Sequence, residues 1–366
     1  MRVSLHKAEL HYGAGLLLHT ASSGAVPHLA EIYLRLDDGE SVGIGEARAN
    51  IAYLNGLAEG DVVAGAVAAL KVVDWARDPA ELLRTMEDWA ASFAAPVRML
   101  IDVALHDLAA RRAGLSVAAW CGAPAPDIVR ATNQTLFWSP LQEFLAQAQN
   151  YVDRGFRDLK VRVAVGDFDA DLRRIAALRG RFGDRVTIAA DANGRWAATE
   201  ALDKLQALAH FDLAYVEQPV PPGDWTALNR LADRSPVPVM LDESVATPGD
   251  IARICAYGGR VLAHLKLVKL GGVAPTMAAA RRLSAAGVPF MIGQMNEGAA
   301  ATAAALHVAC ATEPAFSELY GADGLLDDPI SGVAYGEGRV RIDRLSGLGV
   351  AFDAAAAQCI GEFGHG

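Results

Sequence analysis

The stretch FRDLKVRVAVGDFDA, residues 156–170, decides the fold, because it sets two cationic side chains two residues apart at the end of an apolar run. Side chains at i and i+2 of a strand share a face, so Lys160 and Arg162 point the same way. Beyond them, single charged residues recur at the ends of short apolar runs: Asp191 after VTIAA, Glu217 after LAYV, Asp242 after PVML and Lys266 after VLAHL. The intervals from Lys160 onward are 31, 26, 25 and 24 residues. A strand, a helix and two short loops occupy about that length, which is the period of a parallel βα barrel.

Working outward, ATNQTLFW at 131–138 supplies a strand ahead of this series, and PFMIG and FSELY supply two more after Lys266. That makes eight strands, with helical stretches such as 169–183 and 198–211 between them and no long structureless insertion. Towards the N-terminus, residues 1–12 alternate polar and apolar, and 28–47 reads as two strands joined at Asp37-Asp38-Gly39. From Ala58 to Ala113 the spacing turns helical, broken at Pro79 and Pro96. The expected organisation is an α+β unit over 1–124 and a barrel over 125–335, joined at CGAPAPDIV. The pieces after 336, including GRVRIDRLSGLGVAFD, are too isolated to form a sheet alone, so segment 336–366 is expected to return and pair with the N-terminal unit.

Composition excludes several classes. With 52% hydrophobic and 21% charged residues the chain has the makings of a large core, not of disorder. A formal net charge of −10 and the lack of a Lys/Arg run argue against nucleic acid or an anionic membrane as partner. Cys121, Cys255, Cys310 and Cys359 are scattered without a CxxC pair and read as free thiols in a reducing compartment. With no apolar signal core at the N-terminus and no run approaching twenty apolar residues, the expected setting is the cytoplasm. GIGEAR at 43–48 holds only two glycines of a dinucleotide fingerprint and leaves a hairpin, not a βαβ unit. Gly271-Gly272 suits either a phosphate cradle or a tight turn, and no GxSxG nucleophile motif occurs.

Barrel active sites lie at the C-terminal ends of the strands, which makes the strand-ending polar residues the functional candidates. Asp191, Glu217 and Asp242 would converge at the barrel mouth, repel one another and call for a cation. An all-oxygen set suits a hard ion, Mg²⁺. Taken singly, each acid reads equally well as a helix cap; the barrel spacing of all three favours the metal. Lys160 and Arg162 on strand two face Lys266 on strand six across the mouth. A partly desolvated lysine among cations can have its pKa drawn down and act as a base, which arginine does not do. Lys269 reads as a surface lysine and His264 as a barrel-interior residue.

The ordered set LKVR, DANGRW, VEQP, LDES, LKLVKLGG and GQMNEG, with ALHDLAAR and SGLGVAFD outside the barrel, resembles the enolase superfamily in its mandelate racemase and muconate-lactonizing branch. The resemblance implies a modified (β/α)₇β barrel under an α+β cap. It also implies abstraction of the proton α to a carboxylate, with Mg²⁺ holding the enediolate. Carried over by position, it makes Asp191, Glu217 and Asp242 the metal ligands and Lys266 the sixth-strand acid/base. Asn193 and Glu243 are expected to support the ligands. Gln294, Asn296, Glu297 and Glu318 read as contacts to the far end of the substrate or to Lys266, and each reads equally well as a loop or cap residue. No histidine–aspartate pair of the mandelate racemase type occurs in GQMNEG, so the muconate-lactonizing-like subgroup fits better.

One position departs from that pattern: most relatives carry lysine, any residue, lysine on strand two, and here Arg162 stands at the position of the second lysine. Two-base racemisation needs a proton acceptor on one face and a donor on the other. The substitution therefore tilts the expectation towards β-elimination, as in a dehydratase or cycloisomerase, over racemisation or epimerisation. The alternative is a non-catalytic or repurposed metal-binding barrel that has lost its second-strand base. Segments 13–28 and 50–56, offering His19, Tyr53 and Asn55, are expected to overhang the mouth and admit a small carboxylate of modest polarity. Symmetric self-assembly into a homo-oligomer is the expectation for an enzyme of this size.

Overall fold

The computed structural model describes residues 1–13, 18–20, 22–123, 127–343 and 346–364. The side chains of His19 and Thr20, and the expected boundary between residues 124 and 125, lie outside the described residues.

The N-terminal alternation forms β1 (Arg2–Leu10), followed by a small hairpin, β2 (Leu18–Thr20) and β3 (Gly24–Val26), then β4 (Leu29–Asp37) and β5 (Val42–Arg48). β1 and β4 pair antiparallel from Arg2↔Asp37 to Leu10↔Leu29. The β4–β5 turn falls on the Asp-Asp-Gly stretch, where the Asp38 side chain accepts the Glu40 and Ser41 N–H groups at 2.9 and 2.7 Å. Helix Ala95–Arg112 lies across this sheet. It comes so close that a Cβ on Gly43 would stand 2.5 Å from Ala104 O and 2.8 Å from Leu108 N. The glycines of GIGEAR are therefore packing glycines that admit a helix backbone. Leu5, Leu34, Leu36, Leu100 and Leu108 are among the apolar side chains that fill the cap core between them.

The eight expected barrel strands are all present. After β6 (Ile128–Ala131) come β7 (Gln134–Leu136), β8 (Asp158–Arg162), β9 (Thr187–Asp191), β10 (Val216–Glu217), β11 (Val239–Leu241), β12 (Leu262–Lys266), β13 (Phe290–Gly293) and β14 (Phe316–Glu318). β7 to β14 pair in sequence order in one parallel sheet. The Asn133 N–H donates to Ser317 O at 3.1 Å and joins the two edge strands. Ala189, Tyr215, Met240, Leu262 and Met291 pack as an apolar plug inside the ring. Outward-facing Leu159, Val161, Ile188, Leu265 and Ile292 pack into the large core shared with the surrounding helices. Alternation on each strand therefore leaves Lys160, Arg162, His264 and Lys266 pointing inward.

The tail divides its pairing, and here the expectation is corrected in part. β15 (Ile330–Ser331), β16 (Val333–Gly336), β17 (Arg339–Ile342) and β18 (Ala351–Phe352) precede β19 (Gln358–Phe363). Only β19 joins the cap sheet, on the free edge of β1. β17 pairs with β6 beside the barrel, and β18 pairs with β15. The Gly271-Gly272 pair makes the tight turn into helix Val273–Ala285. The Asp102 carboxylate accepts the Val273 N–H there, taking the place a phosphate would need.

Candidate active site

Strand register levels the charged groups. Arg162 is paired with Asp191, Asp191 with Glu217, Lys266 with Gly293, and Gly293 with Glu318. Asp242 follows β11 directly, and all of these side chains are buried.

The contacts form two linked clusters. On one side, Lys160 Nζ donates to Glu217 Oε2 at 2.9 Å, lies 3.6 Å from Asp191 and pairs with Glu318, while Arg162 pairs with Asp191. On the other, Lys266 donates to Asp242 Oδ2 at 2.7 Å, and Lys269 donates to Asp242 Oδ1 at 2.6 Å and to His264 O at 3.0 Å. His264 Nδ1, 2.8 Å from Glu217 Oε1 and 3.9 Å from Asp242 Oδ2, links the two. Asn193 donates to Asp191 at 3.4 Å and to Glu243 at 3.3 Å, bracing the acids from the loop above. Gln218 accepts the Asp242 and Ser244 N–H groups at 3.0 and 3.1 Å and fixes the strand end that carries Asp242.

Lys269 corrects the sequence reading. It is buried against Asp242, not exposed, because the single turn Leu267–Leu270 after β12 folds it back into the barrel mouth. His264 is in the barrel interior, and Gly293 makes room for it: a Cβ there would collide with His264 Nε2.

Electrostatics follow the contacts. Burial, reinforced by Asp242 and Asp191, pushes the Glu243 carboxyl up to about 8. Burial also raises Glu217, to about 7, against the pull of Lys160. For Lys266 burial lowers the pKa, but Asp242, Glu318 and Glu217 outweigh it and hold the amine above the usual lysine value. This differs from the lowered lysine expected from sequence, since the carboxylates around it outnumber its cationic neighbours. Asp242 is held well below the ordinary carboxylate range: Lys266 and Lys269 overcome its burial.

A cleft opens above the clusters. Its barrel wall includes Arg162, Asn193, Asp242, Glu243, Lys266, Gln294, Asn296 and Glu318. Leu18, Ser23, Val26, Tyr53 and Leu54 of the cap overhang it, so both expected segments supply residues to the mouth. The Ser22 hydroxyl reaches Asn193 O at 3.4 Å. Asn55 instead turns into its own loop and accepts the Leu57 N–H at 2.9 Å. Glu297 turns away towards Arg48 and the cap sheet, its Oε2 accepting the Met295 N–H at 2.9 Å. Lys160 lies beneath the cleft, fully buried. Sequence reasoning missed Met295 and Tyr320, which also line the cleft. Tyr320 sits two residues beyond Glu318, the spacing that shares a strand face, and that signal was available.

The donor chemistry suits a divalent cation. One ligand atom each from Glu217, Asp242 and His264 lie within 4.8 Å of one another, and Asp191 stands beside them across Lys160, whose Nζ is 2.9 Å from Glu217 and 3.6 Å from Asp191. Glu243 Oε2, beside Asn193 at the mouth, is buried without a hydrogen-bond partner.

This barrel, with carboxylates on three successive strands and lysine on the sixth, defines a class that comparison with known proteins identifies. A family model described as Enolase C-terminal domain-like matches residues 143–356. Muconate cycloisomerase 1 of Rhodococcus opacus is 33% identical over 271 residues, 70% of each chain. The L-Ala-D/L-Glu epimerase of Bacillus subtilis is 29% identical over 254 residues, 68% of this chain and 69% of the relative. The crystal structure of a dipeptide epimerase from Enterococcus faecalis, complexed with Mg and the dipeptide L-Leu-L-Tyr, superposes with a TM-score of 0.87 at 25% identity, covering 96% of this chain and 99% of that one. The chain belongs to the enolase superfamily, in its mandelate racemase and muconate-lactonizing family, and its relatives are epimerases, racemases and cycloisomerases. Members of this superfamily bind a divalent metal, and the repurposed-barrel alternative is not favoured.

Proposed function

We propose that this enzyme removes the proton α to the carboxylate of a small substrate with Lys266 as its single acid/base, and that the outcome is β-elimination or cycloisomerisation. One observation carries the reading: the two cleft walls are unlike. Lys266 reaches the cleft from β12, whereas β8, opposite it in the order of eight strands, presents the guanidinium of Arg162, with Lys160 sealed beneath.

Asp191, Glu217 and Asp242 would hold Mg²⁺, whose charge would offset the carboxylates that raise Lys266 and stabilise the negative charge left when the α-proton departs. Asp242 holds the Lys266 amine in place, and Lys269 holds Asp242. Arg162 stays protonated at any working pH, so it neutralises and orients without exchanging protons. Leu18, Val26 and Leu54 exclude water above the reacting carbon, and with Tyr53 they suit a carboxylate of modest polarity. Epimerisation is the second reading, favoured by the epimerases among the relatives; it requires a proton from the β8 side. Four free cysteines support a cytoplasmic setting, and self-assembly is the expected state for an enzyme of this size. A division into a cap over 1–124 and a barrel over 125–335 is supported for the last strand of 336–366, β19, which pairs with β1, whereas β17 of that segment pairs with β6 beside the barrel.

The test is a panel of N-modified amino acids, hydroxyprolines, dipeptides and sugar acids in D₂O with Mg²⁺. Loss of water or ring closure without inversion is the expected result, and Lys266→Ala is expected to slow it by about 10²–10⁴-fold. Deuterium exchange at the α-carbon with inversion and no elimination rejects the single-base reading.

A further inference from the structure

Outside the barrel, Glu9, His11 and His28 bring one ligand atom each within 4.8 Å of one another. The sheet explains why. Glu9 and His11 are two residues apart at the end of β1 and share a face, and the β1–β4 register ends at Leu10↔Leu29, so His11 meets His28 at the next position across the strands. The two rings are 6.0 Å apart between centroids. Asp327 holds His11 twice: its Oδ1 accepts the His11 N–H at 2.7 Å, and its Oδ2 lies 2.7 Å from the ring Nδ1. That leaves Nε2 as the open nitrogen, in a ring already oriented by a carboxylate, the arrangement found behind metal-bound histidines.

We propose that Glu9, His11 and His28 form a second metal site, selective for a zinc-class divalent ion, with Asp327 as its positioning residue. Two imidazoles and one carboxylate are the donor set of borderline ions such as Zn²⁺ and Co²⁺, whereas Mg²⁺ prefers oxygen alone. Ligand atoms about 3.3–3.5 Å apart satisfy a tetrahedral zinc, so small side-chain rotations close the site, with water in the fourth position. The ion ties together the ends of β1 and β4, between which the chain carries Leu18, Ser23 and Val26 over the cleft. The site shares no residue with the barrel cluster of Glu217, Asp242 and His264.

The test is titration of the whole protein with Co²⁺ and then Zn²⁺ in saturating Mg²⁺, followed by the visible Co²⁺ spectrum and by thermal melts. One Co²⁺ equivalent with a nitrogen-ligated spectrum, displaced by Zn²⁺, is expected, together with a Zn²⁺-dependent rise in melting temperature. His28→Ala and Glu9→Gln are each expected to weaken binding at least tenfold, and Asp327→Asn by about 10–100-fold. Glu9→Gln keeps the shape of its side chain, so it remains informative if His28→Ala folds poorly. A Co²⁺ spectrum unchanged in Glu9→Gln and His28→Ala would assign the signal to the barrel acids and overturn the proposal. So would wild-type binding no tighter than about 1 mM, an affinity near 4 kcal/mol.

Discussion

Lys269 donates to the Oδ1 atom of Asp242 at 2.6 Å, on the opposite oxygen from the one Lys266 meets at 2.7 Å. The carboxylate is thereby fixed in plane and position by two amines, only one of which lines the cleft. Lys269→Met keeps the apolar stem and removes the charge. Metal affinity is expected to fall about 10–100-fold, the usual cost of losing a residue that orients a metal ligand, with a parallel loss of kcat. Calorimetric titration with Mg²⁺ measures it, and unchanged affinity would show that Lys266 alone suffices to orient Asp242.

Arg162 offers a gain-of-function experiment. Arg162→Lys restores a titratable amine on β8 opposite Lys266, and on the single-base reading it is expected to add α-epimerisation to whatever elimination the wild type performs. Chiral chromatography of recovered substrate from D₂O is the readout. Wild-type enzyme that already inverts its substrate would contradict the role given to the guanidinium.

The cap–barrel junction buries acids that make stability depend on pH. Burial raises Glu297 to about 7 and Asp328 to about 6, and burial with neighbouring acids holds Glu31 and Glu46 well above the ordinary range. Folded-state pKa values above the unfolded ones mean that the folded protein holds extra protons, so this contribution falls as pH rises from about 4 to 7. At 1.36 kcal/mol per unit, Glu297 alone accounts for roughly 3 kcal/mol lost by pH 8. Glu297→Gln is expected to be more stable than wild type at pH 8 and similar to it at pH 4. Urea midpoints at the two pH values check this, and the difference between the two proteins cancels other titrating groups.

Gly293→Ala puts a methyl group where His264 Nε2 sits. Overpacking of this kind costs about 1–3 kcal/mol, and displacement of His264 also disturbs Glu217, which its Nδ1 meets at 2.8 Å. Expected outcomes are a lower melting temperature and weaker Mg²⁺ binding together. A stability loss with intact metal affinity would separate His264 from the acid cluster.

The barrel was legible because charge at a strand end is a one-dimensional signal: Asp191, Glu217, Asp242 and Lys266 each close an apolar run. Lys269 was not, since its burial depends on a single helical turn whose direction no periodicity records. Glu31, Glu46, Glu297 and Asp328 come from four separate parts of the chain, and only the docking of the cap brings their charges together. The tail was half legible. Its alternation announced strands, but whether Arg339–Ile342 joined the cap or β6 depended on which open edge lay within reach.

The pairing of β19 with the outer edge of β1 has a consequence for biosynthesis. β1 is synthesised well before β19, and the whole barrel lies between them in the sequence. At about 5–20 residues per second, that edge stays unpaired on the order of tens of seconds while the barrel is translated. A nascent cap in that state presents an open strand to other chains, which makes the outer edge of β1 the place where association competes with folding.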